Sequence, residues 1–352
     1  MSTAVNILDR SFVELERDLT QLGEPPFRAR QVWQWLWQKQ CRDFSGMTNV
    51  SLALRRKLSE GYVLKRPAVE VSRISRDATV KMLLRLADGC LIETVLIPEK
   101  DHYTQCLSTQ VGCPLACSFC STGRMGFKRN LSSGEILGQV LVGKAYLEEM
   151  QSGLQLRNIV YMGMGEPLLN WEQVKKSLTI LGDPRGLNFS HRRITVSSVG
   201  VPGKLQEFAE TGLGSLAVSL HAPNQELRSR IMPRAAALLS VDALLQTLQN
   251  LPLKTRQRIT IEYILLGGVN DALEQARDLN RLLSFLRCKV NLIAFNPDPK
   301  APYHAPAPEQ ILAFEQYLWD KGLTVNLRKS KGADIQAACG QLIAAEGSEQ
   351  GA

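Results

Sequence analysis

The stretch Cys113-Pro-Leu-Ala-Cys117-Ser-Phe-Cys120 places three cysteines at spacings of four and three residues in one short loop. Soft thiolate ligands at such spacings select an iron–sulfur cluster or zinc. A structural zinc site needs four protein ligands, and no nearby histidine completes one. Three thiolates on a cubane cluster leave one metal position open for a small molecule. The loop therefore predicts a catalytic cluster site rather than a structural metal site or a pair of structural cysteines.

From about residue 103 the chain alternates short β-rich runs with helical stretches. This alternation predicts an α/β fold with βα units, a parallel sheet, and closure into a barrel or part-barrel. The predicted strands are Gln105–Gln110, Arg157–Met162, Arg193–Ser198, Ser215–His221, Arg258–Leu265, Lys289–Phe295 and Thr324–Arg328. Each polar residue at a strand end is, taken singly, best explained as a cap or turn. Because function collects at the C-terminal ends of barrel strands, their recurrence on successive strands indicates a shared ligand rim. The residues are Gly165, Glu166, Ser197, Ser219, His221 and Asn296.

The run Gly163-Met-Gly-Glu-Pro167 resembles part of a dinucleotide-binding fingerprint but lacks its third glycine, since Leu168 stands there. A simple strand-to-loop turn is one interpretation. The cysteine loop upstream favours another, in which the backbone approaches a ligand's amino group closely and Glu166 accepts a hydrogen bond from it.

The N-terminal region carries most of the chain's positive charge. Residues 24–66 contain nine basic and three acidic residues, a local net charge of +6 (9 − 3) within a total of +8. A Pro-Pro pair followed by an apolar stripe that includes Trp33 and Trp37 predicts a small helical domain over residues 1–66. We interpret the tryptophans as its core. The concentration of arginine and lysine favours a surface that contacts phosphates.

Residues 67–100 alternate apolar and polar side chains on both sides of Asp88-Gly89, which predicts a β-hairpin extension. Glu93 lies in its second strand among apolar neighbours. It either faces outward, which is the commoner case, or is a buried base with a raised pKa. The barrel domain is predicted over residues 101–345, followed by a flexible tail over residues 346–352.

Composition restricts the location of the protein. The chain has 352 residues, of which 44% are hydrophobic, enough for a sizeable core. It contains no apolar run of about 18 residues and no signal-peptide pattern, so we expect a cytoplasmic protein without a membrane anchor. Eight cysteines without regular spacing outside the loop fit a reducing compartment. Cys339, alone among alanines and beside a glycine, has by itself the pattern of a small buried residue.

The cysteine loop, with Phe119 before its third cysteine, resembles the signature of the radical S-adenosylmethionine enzymes. Further blocks are similar to the RlmN/Cfr family of radical S-adenosylmethionine RNA methyltransferases, and closer to its RlmN branch. The resemblance covers the chain except about the first twenty residues and the tail after Ala345. The matching blocks are Glu93-Thr-Val, Cys106 to Cys113, Cys117 to Thr122, Gly126 to Leu131, Met162 to Asn170, Ser219 to Asn224, Phe295-Asn-Pro and Ala337 to Leu342.

The resemblance implies a radical S-adenosylmethionine partial (β/α) barrel and its cofactors. Cys113, Cys117 and Cys120 would hold one [4Fe–4S] cluster, and two molecules of S-adenosylmethionine would be used per turnover. The implied S-adenosylmethionine contacts include the strand-end residues named above. They are Gly165, Glu166, Ser197, Ser219, Leu220, His221 and Asn296.

The resemblance also implies methylation of adenine C2 in 23S ribosomal RNA and, in transfer RNAs, of the adenine next to the anticodon. Cys339 would carry the methyl group as S-methylcysteine, and a 5′-deoxyadenosyl radical would activate it. Cys106 would resolve the protein–RNA adduct, ending in a transient disulfide with Cys339. Glu93 matches the family's proton acceptor, although Glu93 or Cys106 could take the C2 proton.

The expected partners are 23S ribosomal RNA, transfer RNA and an electron donor such as flavodoxin, and the protein is expected to be a monomer. Three other functions remain open at this point. A Cfr-type enzyme would use the same residues to methylate adenine C8. A radical S-adenosylmethionine enzyme with a non-RNA substrate would lack RNA binding. A non-catalytic nucleic-acid-binding module would saturate its cluster with protein ligands.

Overall fold

The computed structural model describes residues 5–344, so the predicted tail at residues 346–352 lies outside the described residues. Its framework is one ten-stranded sheet. Within this sheet each strand pairs with the sheet strand that precedes it, so the ten strands lie in the order of the sequence. In chain order the strands are β1 Ala68–Ile74, β2 Val80–Arg85, β3 Leu91–Pro98, β4 Tyr103–Cys106, β5 Leu156–Tyr161, β6 Ile194–Ser198, β7 Ser215–Ser219, β8 Ile259–Leu265, β9 Cys288–Ala294 and β10 Val325–Arg328.

Strands β4 to β10 are all parallel, and helices connect most of them. Every residue of β8 is buried, as expected where both faces of a parallel sheet are covered. The predicted α/β part-barrel is confirmed. None of the helices described within residues 5–344 is long and apolar enough to cross a membrane. The helices after β4 are Ser121–Arg124, Ser133–Glu149, Trp171–Gly182, Lys204–Thr211, Gln225–Ile231, Pro233–Leu238, Val241–Gln249, Leu273–Leu283 and Pro308–Asp320.

One predicted strand, Gln105–Gln110, is wrong as a single element. Strand β4 ends at Cys106, and Gln110–Gly112 instead pairs with Phe127–Asn130 in a separate two-stranded sheet. The residues between them pair with the loop after β5, because the Gly163 N–H donates to the Leu107 carbonyl at 3.0 Å. Sequence alternation cannot distinguish this exchange of partners from one continuous strand. The other six predicted strands agree with the structure to within two residues at each end.

Residues 67–100 contain three antiparallel strands, β1, β2 and β3. Strands β2 and β3 are antiparallel and joined through the Asp88-Gly89 turn, where Gly89 has a φ of 83°. A left-handed residue in such a turn favours glycine. Glu93 on β3 is buried, so it does not face outward.

The N-terminal region is helical, as predicted, with helices Phe12–Gln21, Phe27–Trp37 and Leu52–Gly61. The second helix begins directly after the Pro-Pro pair. Trp33 and Trp37 are completely buried, and the Trp33 ring packs edge-on against Phe12 with centroids 5.5 Å apart. The tryptophans are therefore core residues and not a platform for stacking bases.

The basic residues of this region divide into two groups. Four bind the chain itself, each through its charged end: Arg28, Arg55, Lys57 and Arg66. The Arg55 guanidinium, for example, donates to the Val50, Ser45 and Thr48 carbonyls. The other five are exposed: Arg30, Lys39, Arg42, Arg56 and Lys65. The interpretation of all nine as a phosphate-contacting surface is therefore too broad, because four of them stabilise the domain.

Candidate active site

The cysteine loop is shaped by glycine at its start. Gly112 has a φ of 76°, and a Cβ atom there would lie 1.9 Å from the Gly126 carbonyl oxygen. Only glycine fits this close crossing. The next residue, Cys113, donates its backbone N–H to the same carbonyl at 2.7 Å. The crossing fixes the point at which the loop leaves the two-stranded sheet, and the three thiols then line one cavity.

The strand-end residues line the same cavity, which has a volume of about 160 Å³. The C-terminal ends of β5, β6 and β7 supply most of them, and the Ser197 and Ser219 hydroxyl oxygens lie 3.3 Å apart. The structure thus brings together eight residues that the sequence predicted: Cys113, Cys117, Cys120, Gly165, Glu166, Ser197, Ser219 and His221. Leu220 is buried beside them without lining the cavity, and its N–H donates to the Glu262 carbonyl at 3.1 Å.

Glu166 is held rigidly at the end of β5. Its N–H donates to Gln110 Oε1 at 2.8 Å, and its carboxylate oxygens accept from the Leu168 and Val199 N–H groups at 3.0 Å each. Burial nevertheless raises the pKa of this carboxyl. Each oxygen retains a second lone pair, so Glu166 can still accept from a ligand. Gly165 precedes it with a φ of 99°.

His221 is a neutral side chain. Burial, and secondarily the charge of Arg228, lower its pKa to about 3. Its Nδ1 accepts from the Ile264 N–H at 3.0 Å, which fixes the tautomer with the proton on Nε2. The ring packs edge-on against Phe119 of the cysteine loop, with centroids 5.1 Å apart. His221 therefore links β8 to the loop without carrying a charge.

His221 makes stability fall with acid. In the unfolded chain it gains a proton near its ordinary pKa of 6.5, whereas the folded protein resists protonation down to about 3. The unfolded state then binds more protons, so the stability present above pH 6.5 is lost as the pH falls towards 3. We expect the free energy of unfolding to fall by about 2 kcal/mol from pH 7 to pH 5 because of His221. Urea unfolding of the cluster-free protein at both pH values measures this.

His221→Asn is the matched variant, because asparagine is neutral, can accept from Ile264, and tolerates the φ of 59° at this position. Between pH 7 and pH 5, the unfolding free energy of this variant should change by about 2 kcal/mol less than that of the wild type. An equal change in both proteins would contradict a buried, neutral His221.

A second cavity, of about 380 Å³, adjoins the first. Cys106, Cys339 and Asn296 line it, and Cys120 and Cys339 border both cavities. Cys339 is exposed, unlike the small buried residue that its local pattern indicates. The Asn296 side-chain amide donates to the Cys339 carbonyl at 3.3 Å, and the Ser121 N–H donates to the Gly340 carbonyl at 2.7 Å. The Cys339 segment is thereby positioned beside the cysteine loop.

Cys106 differs from Cys339 in its environment. Burial first, and the neighbouring Cys339 second, raise the pKa of the Cys106 thiol to about 12. This thiol therefore stays protonated at neutral pH, whereas Cys339 is open to solvent. The two cysteines face the same cavity from β4 and from the C-terminal segment. Of the two, Cys339 is the better placed to be reached by a substrate from outside.

The segment that carries Cys339 is fastened to the β1–β2 turn. The Gly332 N–H donates to Asp77 Oδ2 at 3.0 Å, and Lys81 Nζ donates to the Gln336 carbonyl at 3.1 Å. These contacts join residues about 255 positions apart in the chain. The hairpin extension therefore positions Cys339.

Glu93 lines neither cavity but supports the same segment. Its Oε2 accepts from the Ile343 N–H at 2.9 Å, and its Oε1 lies 3.1 Å from Lys81 Nζ. Burial raises the pKa of Glu93 although the charge of Lys81 opposes the shift. Both side chains are more than nine-tenths buried, and desolvation at that depth outweighs the ion pair.

Removing Lys81 should destabilise the fold. In Lys81→Met the buried Glu93 carboxylate loses its only ion-pair partner among the described residues, at a cost of about 3 kcal/mol near pH 8. Glu93 can escape this cost by taking up a proton, so the effect should shrink as the pH falls to 5. Urea unfolding of wild type and variant at both pH values measures it. Adding Glu93→Leu should restore most of the loss, and equal stabilities of wild type and Lys81→Met at both pH values would contradict the ion pair.

Three side chains at the site were not predicted from the sequence. Arg328, at the end of β10, lines both cavities, and the nearby Cys339 thiol raises its pKa. Lys81 pairs with Glu93, and Glu262 on β8 lines the first cavity. Glu262 could have been identified as a candidate site residue from the sequence, because it is a lone carboxylate in a mainly apolar strand, as Glu93 is. No sequence pattern marks Arg328 as a site residue, since the segment that contains it has the pattern of an ordinary edge strand.

The cavity residues fit a cluster with one open metal position. Its lining supplies three thiols, while His221 Nδ1 and the Glu166 oxygens already accept backbone N–H groups. No group of three His, Cys, Asp or Glu side chains in the described part of the chain is arranged to hold a metal ion. A structural zinc site needs a fourth protein ligand, whereas three thiolates on a cubane leave one metal position open. The site therefore fits a [4Fe–4S] cluster better than zinc.

Comparison with known proteins agrees with this site. Residues 5–64 match the family described as the ribosomal RNA large subunit methyltransferase N-terminal domain, and residues 107–279 match the radical SAM superfamily. The dual-specificity RNA methyltransferase RlmN of Solidesulfovibrio magneticus is 59% identical over 339 residues, which cover 96% of each protein. The chain belongs to the RlmN family. The RlmN of Geobacter sulfurreducens is 46% identical over 97% of this chain and 93% of its own.

A solved structure supports the RlmN assignment. The crystal structure of a radical SAM methyltransferase from Sphaerobacter thermophilus matches with a TM-score of 0.92 and 41% identity, over 97% of this chain and 100% of that one. The fold is therefore the radical S-adenosylmethionine fold with the RlmN N-terminal domain. Membership of the RlmN family and of this superfamily implies a [4Fe–4S] cluster and S-adenosylmethionine as cofactors.

Proposed function

We propose that this chain is a radical S-adenosylmethionine methyltransferase that methylates C2 of an adenine in 23S ribosomal RNA and of the adenine next to the anticodon in transfer RNAs. The observation that carries the proposal is the placement of Cys106 and Cys339 on one cavity beside the three-cysteine loop. The RlmN relatives, named dual-specificity RNA methyltransferases, support the RNA substrates. In this proposal Cys113, Cys117 and Cys120 hold the cluster.

Cys339 is the proposed methyl carrier. Its sulfur attacks the methyl group of one S-adenosylmethionine, so that an S–CH₃ bond forms, S-adenosylhomocysteine leaves and the thiol proton goes to solvent. The thiolate is the reactive form, and the positively charged Arg328 lies on the same cavity as Cys339. When bound, the cluster and a second S-adenosylmethionine supply the 5′-deoxyadenosyl radical, which removes a hydrogen atom from the S-methyl group. Adenine C2 is an unreactive carbon, which explains the need for a radical.

Cys106 is the proposed resolving residue. After the carbon on Cys339 has bonded to C2, the adduct would lose the C2 proton and one electron, which the bound cluster would accept. Cys106 would give up its own proton, and its sulfur would attack the Cys339 sulfur. The S–C bond would break, the leaving carbon would take up a proton to become the C2 methyl group, and a disulfide would remain that must be reduced before the next turnover. Glu93 is the proposed acceptor of the C2 proton, and burial raises its pKa, which makes the carboxylate a stronger base. Cys106 is the alternative acceptor.

RNA is proposed to bind the helical domain of residues 1–66, joined by the β extension of residues 67–100 to the barrel of residues 101–345. The five exposed basic residues of the helical domain support this, because they carry no internal role in fixing the domain comparable to that of Arg55. A target base must leave its stack to reach a pocket of this depth. Flavodoxin as electron donor and a monomeric state complete the proposal.

The RNA surface predicts a salt effect. Replacing Arg30, Arg42 and Arg56 together with alanine should weaken transfer RNA binding at every salt concentration. If each contacts a phosphate, the slope of log affinity against log salt concentration should become shallower by about two. Filter binding or fluorescence anisotropy at several salt concentrations measures both effects.

A matched control removes three exposed charges elsewhere on the fold, at Arg277, Arg281 and Lys321. These lie in or directly after helices of the barrel. The control should bind with nearly the wild-type slope. Equal losses in both triple variants would show a general charge effect and would contradict an RNA surface on the N-terminal domain.

The proposed reaction is tested by nucleoside analysis. RNA lacking the modification is incubated anaerobically with cluster-loaded protein, S-adenosylmethionine and a reductant, then digested and analysed by mass spectrometry. 2-Methyladenosine supports the proposal. 8-Methyladenosine would assign the chain to Cfr-type chemistry, which uses the same residues. Absence of any methylated adenosine together with absence of RNA binding would favour a radical enzyme with a different substrate.

A further inference from the structure

Glu262 is a buried carboxylate with a hydrogen-bonding position to spare. It lies in the middle of β8 with 3% of its surface exposed. Its Oε1 accepts from the Asn291 side-chain amide at 2.9 Å, while its Oε2 has no partner among the described residues. An unsatisfied buried carboxylate oxygen is costly and therefore rare in folded proteins. Such an oxygen indicates a group that binds there.

The free oxygen belongs to a row of polar groups inside the first cavity. In the parallel register of β7 and β8, Glu262 stands beside Ser219. The Ser219 hydroxyl lies 3.3 Å from that of Ser197 on β6. Because register partners in a sheet project to the same face, the three side chains form one polar row. All three line the cavity that the cysteine loop also borders.

The contacts of Glu262 leave its Oε2 available as an acceptor. Burial raises the pKa of its carboxyl, although the charges of Arg328 and Lys289 oppose the shift. Arg328 lines the cavity and acts on Glu262 through its charge, because Oε2 forms no hydrogen bond within residues 5–344. Within the described residues, no ion pair or hydrogen bond occupies Oε2, so this atom can accept a hydrogen bond from a ligand.

The position of Glu262 selects one part of the cofactor. Glu166, at the end of β5, is the proposed acceptor for the amino group of S-adenosylmethionine, and Glu262 lies three strands farther along the sheet. The two carboxylates therefore cannot hold the same end of one small molecule. The remaining donors of S-adenosylmethionine are the ribose hydroxyls and the adenine amino group. A carboxylate beside hydroxyl side chains matches a ribose diol, as the acidic residue of dinucleotide-binding folds does.

We propose that Glu262 is a further S-adenosylmethionine-binding residue, whose Oε2 accepts a hydrogen bond from a ribose hydroxyl of the cofactor beside Ser219. This inference rests on the proposed function, because it takes the first cavity as the S-adenosylmethionine site. The ribose of the RNA target is the other source of such hydroxyls. Glu262 does not line the second cavity, which Cys106 and Cys339 face and through which we propose that the RNA enters.

Equilibrium binding tests the inference without relying on activity. Cluster-loaded wild type, Glu262→Met and Glu262→Gln are each titrated anaerobically with S-adenosylmethionine and with its 2′,3′-dideoxy analogue. The wild type should prefer S-adenosylmethionine by about tenfold to a hundredfold, the range for a hydrogen bond to a charged group. Glu262→Met should bind S-adenosylmethionine weaker by a similar factor and prefer it over the analogue by less than about twofold. Glu262→Gln should lie between the two, and it replaces Glu262→Met if that variant does not fold.

Iron content and circular dichroism establish that each variant is folded and loaded. Glu274→Gln, which removes an exposed carboxylate at the start of the helix after β8, is the control and should match the wild type. A Glu262 variant that keeps the full preference for the ribose hydroxyls would overturn the inference, as would one that loses RNA affinity alone. A wild type that binds no S-adenosylmethionine would overturn the proposed function with it.

Discussion

Cys339→Ala is expected to lower RNA methylation by at least about a thousandfold, because it removes the nucleophile of a covalent mechanism. Iron content and S-adenosylmethionine binding should persist, since Cys339 is exposed and lies outside the three-cysteine loop. In wild-type protein purified anaerobically, mass spectrometry should find a methyl group on the Cys339 peptide. Nucleoside analysis of RNA incubated with each protein measures the loss.

Cys288→Ala is the matched control. Cys288 is a free, buried thiol at the first position of β9, and it lines neither of the two site cavities. Its loss should reduce stability modestly and leave methylation near the wild-type level. Turnover by Cys339→Ala, together with an unmethylated Cys339 in active wild type, would rule out the methyl-carrier mechanism and leave a radical S-adenosylmethionine enzyme of another kind.

Cys117→Ala is expected to abolish cluster binding. Cys117 is the central cysteine of the loop and is buried on the cavity with Cys113 and Cys120. Two thiolates cannot retain a cubane that three hold with one position open. Iron should fall from about four atoms per chain to below one, and formation of 5′-deoxyadenosine from S-adenosylmethionine should disappear. Iron analysis and chromatography of the nucleoside products measure these changes after anaerobic reconstitution.

The control for this loss is Cys90→Ala. Cys90 is also buried, but it lies at the β2–β3 turn, where its thiol donates to Asp88 at 3.2 Å. Full iron content is expected there. If Cys117→Ala retained the iron while another cysteine substitution lost it, the ligand assignment would be wrong, although the family assignment would remain.

The barrel could be predicted because each of its strands has a recognisable local sequence pattern. The run Ile259–Leu265 is apolar and β-branched, and a polar turn or helix follows each such run. The polar residues at strand ends could also be predicted to meet, since parallel strands bring their C-terminal ends to one rim. Ser197 and Ser219 lie on that rim within 3.3 Å of each other. The roles of the individual residues stay predictions until variants are measured.

The rest of the site depends on contacts that no local pattern contains. Sequence alternation carried the strand at Gln105 through to Gln110, whereas the backbone changes partners at Leu107. The local pattern around Cys339 indicates a buried residue. Asn296 and Ser121 instead hold its segment at a cavity, where Cys339 is exposed. The sequence places Arg55 in the basic surface predicted to contact phosphates. Its guanidinium instead donates hydrogen bonds to three backbone carbonyls. In each case a distant partner decides the outcome.

The order of the strands has a consequence for how the chain folds. Because each strand of the main sheet pairs with the sheet strand before it, the sheet can assemble one strand at a time, and each step closes a connection far shorter than the chain. The fastening of Gly332 to Asp77 is different, since it closes a loop of 255 positions. Contacts of such high separation form slowly. We therefore expect the Cys339 segment to dock after the sheet has formed, and the reactivity of Cys339 followed during refolding measures this order.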